Sequence, residues 1–323
     1  MRAMRYHEYG PPESIRAGVV KRPNPAADEV LVELAATSVN PADWQLGAGY
    51  ARSMFDLPMP FTPGMDFAGI VREIGSGVTS FAIGDRVFGA NLIVRSGSYA
   101  EYVTVPAAIV AHVPQNVSLG IAAAVPLAAL TAWEATFGAA QQAGWRTGHR
   151  VLIQGGAGGT GTFAVQFAKQ FGAHVIATSS AHNHDLLRSL GVDEVIDYRS
   201  ARFEDLVDGV DAVIDLVGGD IPLRSIPLIR EGGALASIVP SSPDTQAACE
   251  ALAGRHGVRL SYVNMSVKRD MAAFAEITHQ LETETLKVIV SKTYPLARAS
   301  EALAASQTGH VRGKIVLTVG PLE

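Results

Sequence analysis

Apolar residues in the first third of the chain fall in short alternating runs with few helical periods. Glu29–Asn40 (EVLVELAATSVN) and Tyr99–Pro106 (YAEYVTVP) read as strands, and the glycines of IGSGV and FAIGDRVFG mark turns. Residues Met1–Val113 are therefore expected to be rich in β structure. From about Leu119 the pattern changes. An Ala-rich helix is predicted over Ile121–Gly138, then strand Arg150–Gly156, helix Thr160–Gly172, strand His174–Ser180 and helix His182–Gly191. Strands Glu194–Tyr198 and Asp211–Gly219 follow, then helix Pro222–Gly232 and strands Gly233–Val239 and Gly257–Asn264. Short, almost wholly apolar strands alternating with amphipathic helices predict an α/β fold whose parallel sheet is covered on both faces. The tail 267–320 is expected to hold one longer helix, Met271–Glu282, and a closing strand in Gly313–Gly320 (GKIVLTVG) that resembles the N-terminal β material.

One turn in the alternating region carries chemistry. Gly156-Ala157-Gly158-Gly159-Thr160-Gly161 satisfies G-x-G-x-x-G, follows an apolar strand and opens a helix. Missing Cβ atoms let the backbone turn tightly and approach a pyrophosphate, whose charge then sits at the helix N-terminus. A merely tight turn would use the same glycines, but the surrounding strand–helix alternation favours a dinucleotide. An NAD-binding version places an acid at the end of the second strand to hold the ribose hydroxyls. Here that strand ends in Ser179 and Ser180, and no Asp or Glu occurs from Ala157 through His184. Hydroxyls can donate to a 2′-phosphate that a carboxylate would repel, and His182, His184 and Arg188 lie just beyond. NADP is expected over NAD.

Composition narrows the classes further. A chain of 323 residues suggests about two domains. A net charge of -5 without a basic stripe leaves no footprint for nucleic acid. Cys249 is the only cysteine, which excludes an internal disulfide and a multi-cysteine zinc cluster. The longest apolar run, Leu119–Leu130, falls short of the ~20 residues that span a bilayer and is broken by Pro126. With no apolar signal core at the start, a cytoplasmic location is expected. Leu322-Glu323 has the look of a vector remnant and carries no weight.

Several separated stretches in order, GMDFAGIVREIGSGVTSFAIGDRVFG, SYAEY and VLIQGGAGGTGTFAVQFAKQFGA, resemble the medium-chain dehydrogenase/reductase superfamily over nearly the whole chain, and within it the zinc-free quinone oxidoreductase branch. The resemblance implies a GroES-like β-barrel domain from 1–122 with 266–323, a Rossmann doubly wound domain over 123–265, and a homodimer joined at an edge of the nucleotide sheet. Zinc-dependent members carry a Cys ligand and a Gly-His-Glu motif where this chain has Asn40 and Met65-Asp66. Amide and thioether groups are poor zinc ligands beside thiolate and imidazole. Without a Lewis acid an alcohol is not readily ionised, whereas a quinone or enone accepts hydride conjugatively and leaves a delocalised oxyanion. A small-molecule quinone or α,β-unsaturated carbonyl is thus the expected substrate. The Tyr-x-x-x-Lys pair of short-chain reductases is absent, since none of the eight tyrosines has Lys four residues later.

By family position, Asn40 and Tyr50 are expected at the catalytic site, with Trp44 and Phe61 as possible apolar wall. Thr131, Leu216, Val217, Gly218, Ser237, Ile238, Val239 and Lys314 are expected to join the glycine turn in holding the cofactor, with Tyr198 at its adenosine end. An enoyl or 2-alkenal reductase using the same hydride step is the alternative activity. A crystallin-like protein that keeps NADPH without turnover is the alternative class.

Overall fold

The structure, a computed structural model, describes every residue except Ala51, residues 54–56, Val94, Ser96, residues 140–143, residues 265–268 and Leu322-Glu323. Contacts divide the chain into two compact units, Met1–Leu130 with Ser266–Glu323, and Thr131–Met265. The first cut therefore falls within a helix, after Leu130, and not at 122/123. The second lies among residues outside the described set, as do Leu322-Glu323.

The first unit begins with an antiparallel pair, β1 (Arg2–Arg5) and β2 (Arg16–Val19). The strands β3 (Glu29–Val39), β4 (Asp66–Ile74), β5 (Arg86–Ala90), β6 (Tyr102–Pro106) and β7 (Val110–His112) follow, with α1 (Pro41–Gly47) leaving the end of β3. The alternation read from the sequence works as expected. Val30, Val32 and Leu34 of β3 bury their side chains with Phe67 and Val71 of β4 and Val103 and Val105 of β6. Next come α2 (Leu119–Ala122) and α3 (Pro126–Trp133), the latter running into the second unit.

The second unit holds β8 (Arg150–Gln154), α4 (Gly159–Gln170), β9 (His174–Ser179), α5 (His184–Ser189), β10 (Glu194–Asp197), β11 (Val210–Asp215), α6 (Ile221–Ser225), β12 (Ile229–Ser237), α7 (Pro243–His256) and β13 (Arg259–Tyr262). Its six strands are all parallel, in the order β10-β9-β8-β11-β12-β13. That reversal of winding at β8 is the doubly wound arrangement, with its ligand side at the strands' carboxyl ends. Val151, Leu152 and Ile153 of β8 and Val213 and Ile214 of β11 are fully buried, as a sheet covered on both faces requires. The chain then returns to the first unit through α8 (Met271–Glu282), β14 (Val290–Pro295), α9 (Ala299–Gln307) and β15 (Lys314–Thr318), completing a sheet ordered β14-β15-β3-β4-β5-β7 with β6 on β3.

Three expectations change. The helix over Ile121–Gly138 is two helices and a π-helical stretch over Glu134–Ala139, because Pro126 has no N–H and opens α3 at its first position. The helix expected over Pro222–Gly232 stops at Ser225, where Pro227 follows, and Ile229–Gly232 belong to β12. Helices α1, α7 and α9 were not expected. The marks of α7 are plain in hindsight: Ser242 caps it by accepting the Thr245 N–H, Pro243 opens it, and Gly257 ends it at φ 64°.

Candidate functional site

The glycine turn is pinned from below. Thr178 of β9 donates its hydroxyl to Gln154 Oε1 at 2.8 Å, while its oxygen and carbonyl accept the Gly155 and Gly156 amides at 3.1 and 3.0 Å. Each glycine has a separate reason. Gly155 takes φ 77°, open to glycine at little cost. A Cβ on Gly156 would lie 2.9 Å from that of Ala177, and one on Gly161 would lie 2.3 Å from the Gly155 carbonyl oxygen. A Cβ on Gly158 would find nothing nearer than 3.4 Å. Its side of the turn is open. The Thr162 N–H donates to the Gly158 carbonyl at 3.0 Å, so the amides of Gly159, Thr160 and Gly161 lie ahead of that bond, in the helix turn suited to an anion. Ala157 is buried beside them.

At the end of β9 the structure brings together Ser179, Ser180 and Tyr198. Both serines are buried, the Ser179 hydroxyl is 3.2 Å from the Ser180 carbonyl, and Asn183 Nδ2 is 3.5 Å from Ser180 Oγ. The Tyr198 amide approaches the Ser179 carbonyl at 3.4 Å, its ring is about half exposed, and Arg199 stands 5.8 Å from its centre.

Asp215, which sequence reasoning passed over, organises the loops beside the turn. One of its carboxylate oxygens accepts the Val217 and Gly218 amides, both at 3.0 Å, and the other accepts the Ser237 hydroxyl at 2.8 Å. Its carbonyl accepts the Ile238 amide at 3.1 Å. Gly218 has φ 77°, and a Cβ there would strike Val239 Cγ1 at 2.5 Å. Four of the six residues expected in these two loops thus hang on one buried acid. The available signal was an acid ending an apolar strand just before paired glycines. Thr131 is buried on α3.

A second polar cluster is buried in the first unit, at the ends of three neighbouring strands. Register explains it. Ile315 pairs with Val39 and Ala68 with Ala36, so Lys314 and Asp66 flank Asn40 and Ser38. Lys314 Nζ donates to Asn40 Oδ1 at 2.6 Å and to the Val39 carbonyl at 3.0 Å, and lies 3.5 Å from Asp66 Oδ2. Asp66 Oδ2 also accepts Asn40 Nδ2 at 2.8 Å and Ser38 Oγ at 2.5 Å, while Oδ1 accepts the Leu127 amide at 2.8 Å. Burial pushes the Lys314 ammonium pKa down, opposed by the Asp66 and Asp43 charges. Lys314 was expected to reach the cofactor. Instead its three N–H groups are used inside the first unit, and the ammonium is a buried clamp.

One helical turn on, Asp43 accepts the Asn40 amide at 2.8 Å and the Tyr99 hydroxyl at 3.2 Å. It is wholly buried, and desolvation raises its carboxyl to about 7. Tyr50, expected beside Asn40, lies past the end of α1 and is 70% exposed, its ring edge-on to Trp44 at 5.9 Å. The structure does not bring it into the Asn40 cluster. Phe61 is core, packed with Leu46, Leu57, Met65 and Ile93. Among the described residues no group of three or more His, Cys, Asp or Glu is placed to hold a metal, and no helix is long and apolar enough to cross a membrane.

Comparison with known proteins matches residues 26–115 to the alcohol dehydrogenase GroES-like domain and residues 190–317 to a family described as zinc-binding dehydrogenase. The chain is 33% identical over 329 residues to a 2-methylene-furan-3-one reductase of Solanum lycopersicum, covering 98% of this chain and 79% of the relative. It is 32% identical to a chloroplast envelope quinone oxidoreductase homolog of Arabidopsis thaliana, covering 98% of each. Among solved structures, the quinone oxidoreductase of Coxiella burnetii superposes with a TM-score of 0.91 at 32% identity, covering 99% of both chains. The Escherichia coli quinone oxidoreductase complexed with NADPH does so with a TM-score of 0.88 at 25% identity, covering 99% of this chain and 100% of the other. The cytoplasmic location expected from the sequence is overturned: a relative matched end to end is named for the chloroplast envelope, and another is mitochondrial, so this kind of chain is not bound to the cytoplasm. The missing signal core was no guide, because it says nothing of organelles. With a parallel sheet of doubly wound order, a GroES-like first unit and relatives above 30% identity along nearly its whole length, the chain belongs to the quinone oxidoreductase branch of the medium-chain dehydrogenase/reductase superfamily.

Proposed function

We propose that this chain is an NADPH-dependent reductase that delivers hydride to quinones or α,β-unsaturated carbonyls without a metal. The observation that carries the reading is the occupant of the position where zinc-dependent members hold their ion. Asn40 and Asp66 stand there, and the Lys314 ammonium is already bound to both. A divalent cation would have to displace a buried positive charge and accept ligands with neither thiolate nor imidazole among them. Zinc does not fit this donor set, whatever the matched family is called.

The dinucleotide fits the second unit. The amides of Gly159, Thr160 and Gly161 suit its pyrophosphate, Gly158 leaves room for close approach, and Ser180 with Tyr198 suits the adenosine end. No carboxylate ends β9, which favours the 2′-phosphate form. The loops held by Asp215, Leu216–Gly218 and Ser237–Val239, are assigned to the nicotinamide end, with Thr131 beside them. When bound, NADPH supplies the hydride. The chain's part is to orient, to exclude water and to stabilise the oxygen that gains the electron pair, a task given to Asn40, with the proton drawn from solvent. Tyr50, exposed beside Trp44, is assigned to covering the acceptor. The tomato relative's named substrate has a methylene conjugated to a ring ketone, an acceptor of this chemistry. The same proposal includes a homodimer through one edge of this sheet, whose end strands are β10 and β13. Sedimentation at the mass of one chain would remove that part alone.

The test is a matrix of NADPH and NADH against benzoquinone, larger quinones and 2-alkenals, with chelator present throughout. Turnover with NADPH that survives the chelator is expected. Activity lost to chelator and restored by zinc would overturn the metal-free reading, and a strong NADH preference would overturn the cofactor assignment. NADPH binding without turnover on the whole panel would make the chain a binding protein instead.

A further inference from the structure

We propose that Lys314 and Asp66 are positioning residues that lock and polarise the Asn40 carboxamide, so that its second N–H is a fixed donor to the oxygen of the acceptor. This rests on the reading of Asn40 given above.

The two ends of a carboxamide have nearly the same shape, and an isolated asparagine can present either. At Asn40 the choice is forced. An ammonium can only donate, so the atom 2.6 Å from Lys314 Nζ must be the oxygen. Asp66 Oδ2, tied to the Ser38 hydroxyl and facing the ammonium, accepts, so the atom 2.8 Å from it must be the nitrogen. Turning the amide over would set its NH2 against the ammonium and its carbonyl against the carboxylate. Both contacts would become repulsive.

The clamp itself is held on every side. Lys314 has three N–H groups and three acceptors, in Val39, Asn40 and Asp66. Asp66 is fixed by Ser38 through one oxygen and by the Leu127 amide through the other. Lys314 and Asp66 open β15 and β4, and Asn40 directly follows β3 as the N-cap of α1, so strand pairing sets the spacing of the three. Asn40 itself is 4% exposed.

Polarisation follows from the same contacts. A cation on the carbonyl oxygen draws electron density from the amide nitrogen, which strengthens its remaining N–H as a donor. Charge builds on the acceptor oxygen as hydride adds to the acceptor carbon and the electron pair moves to oxygen. A preset donor therefore acts on the transition state more than on the bound substrate. The buried ion pair gives a neutral side chain part of the electrophilic character that zinc gives other members.

The experiment measures kcat, KM, the NADPH Kd by fluorescence and the Tm of wild type, Lys314→Met/Asp66→Asn, Asn40→Ala and the triple variant. Removing both charges together avoids stranding either one in the interior. Lys314→Gln/Asp66→Asn, which keeps polar donors at both positions, stands in should the Met version not fold. The expected result is kcat down by about 10- to 100-fold in the folded double variant, with KM changed less than about 3-fold and NADPH Kd within about 2-fold. In the Asn40→Ala background the same two changes are expected to cost nothing further, because their effect passes through that amide. Wild-type kcat in the folded double variant, or losses that multiply in the triple variant, would overturn the proposal. A wild-type protein that turns over no quinone or enone would instead overturn the reading beneath it.

Discussion

Replacing Gly161 by Ala tests whether the glycine turn is shaped for close backbone approach. A methyl group there would lie 2.3 Å from the Gly155 carbonyl oxygen and 2.7 Å from Gly156 backbone atoms. The obstacles are main chain, so no rotamer change relieves them. To reach even 3.0 Å the turn must move by about 0.7 Å, and it is held to β9 by two hydrogen bonds to Thr178, whose hydroxyl is itself tied to Gln154. Overpacking of this kind costs about 1–3 kcal/mol of stability, and a displacement approaching 1 Å at a binding turn costs on the order of 100-fold in function. Gly158→Ala is the contrasting case. Its backbone, at φ -74° and ψ 176°, is open to any residue, and its Cβ would touch nothing closer than 3.4 Å. The poorer N-cap and the stiffer unfolded chain offset each other to within about 0.5 kcal/mol. Thermal unfolding and NADPH fluorescence titration separate the two. Gly161→Ala is expected to lose both Tm and affinity, whereas Gly158→Ala keeps its Tm and loses affinity because the methyl fills the ligand's side of the turn. A Gly161→Ala protein with wild-type Tm and NADPH affinity would refute the reasoning.

Asp43 should make the folded chain less stable as pH rises. Its carboxyl is raised from 3.8 to about 7, chiefly by burial, so the folded state keeps a proton that the unfolded chain releases, and stability is lost across roughly pH 4 to 7. Unfolding curves of Asp43→Asn between pH 5 and 8 should show a flatter pH dependence than wild type, and an unchanged slope would reject this origin. Phe167→Ala should cost about 3–5 kcal/mol, since the ring is fully buried against Trp133, Phe137 and Phe163. A loss under 1 kcal/mol in urea unfolding would show that this core refills itself. Asp215→Ala should weaken NADPH binding and lower stability by a few kcal/mol, because two amides and a hydroxyl lose their acceptor. Asp215→Asn, which can still accept the two amides, should lose less in both titrations, and equal losses would point to charge in place of loop geometry.

The chain's own pattern was enough to find the parallel sheet and the glycine turn. These are local facts. A run such as Val151-Leu152-Ile153 belongs in the interior, and a glycine run between strand and helix leaves the backbone free to turn tightly. The misses were of two kinds. Helix breaks at Pro126 and Pro227 were written in the sequence and given too little weight, as were the cap residues of α7. The burial of Lys314 was hidden for a different reason: a lone lysine at the start of a strand is equally suited to surface, cofactor or core.

What the sequence determined alone was the architecture and the kind of ligand, because burial periodicity and missing Cβ atoms act within a few residues. Only the tertiary structure decided the chemistry of the first unit. Asn40, Asp66 and Lys314 are as much as 274 residues apart, and they meet because β15 pairs with β3 and β3 with β4 in one particular register. A shift of one residue in the β15–β3 pairing would turn the ammonium to the opposite face of the sheet, and one in the β3–β4 pairing would turn Asp66 away from it. Registry of distant strands is set by the summed packing of the whole sheet, and no short stretch of the chain records it.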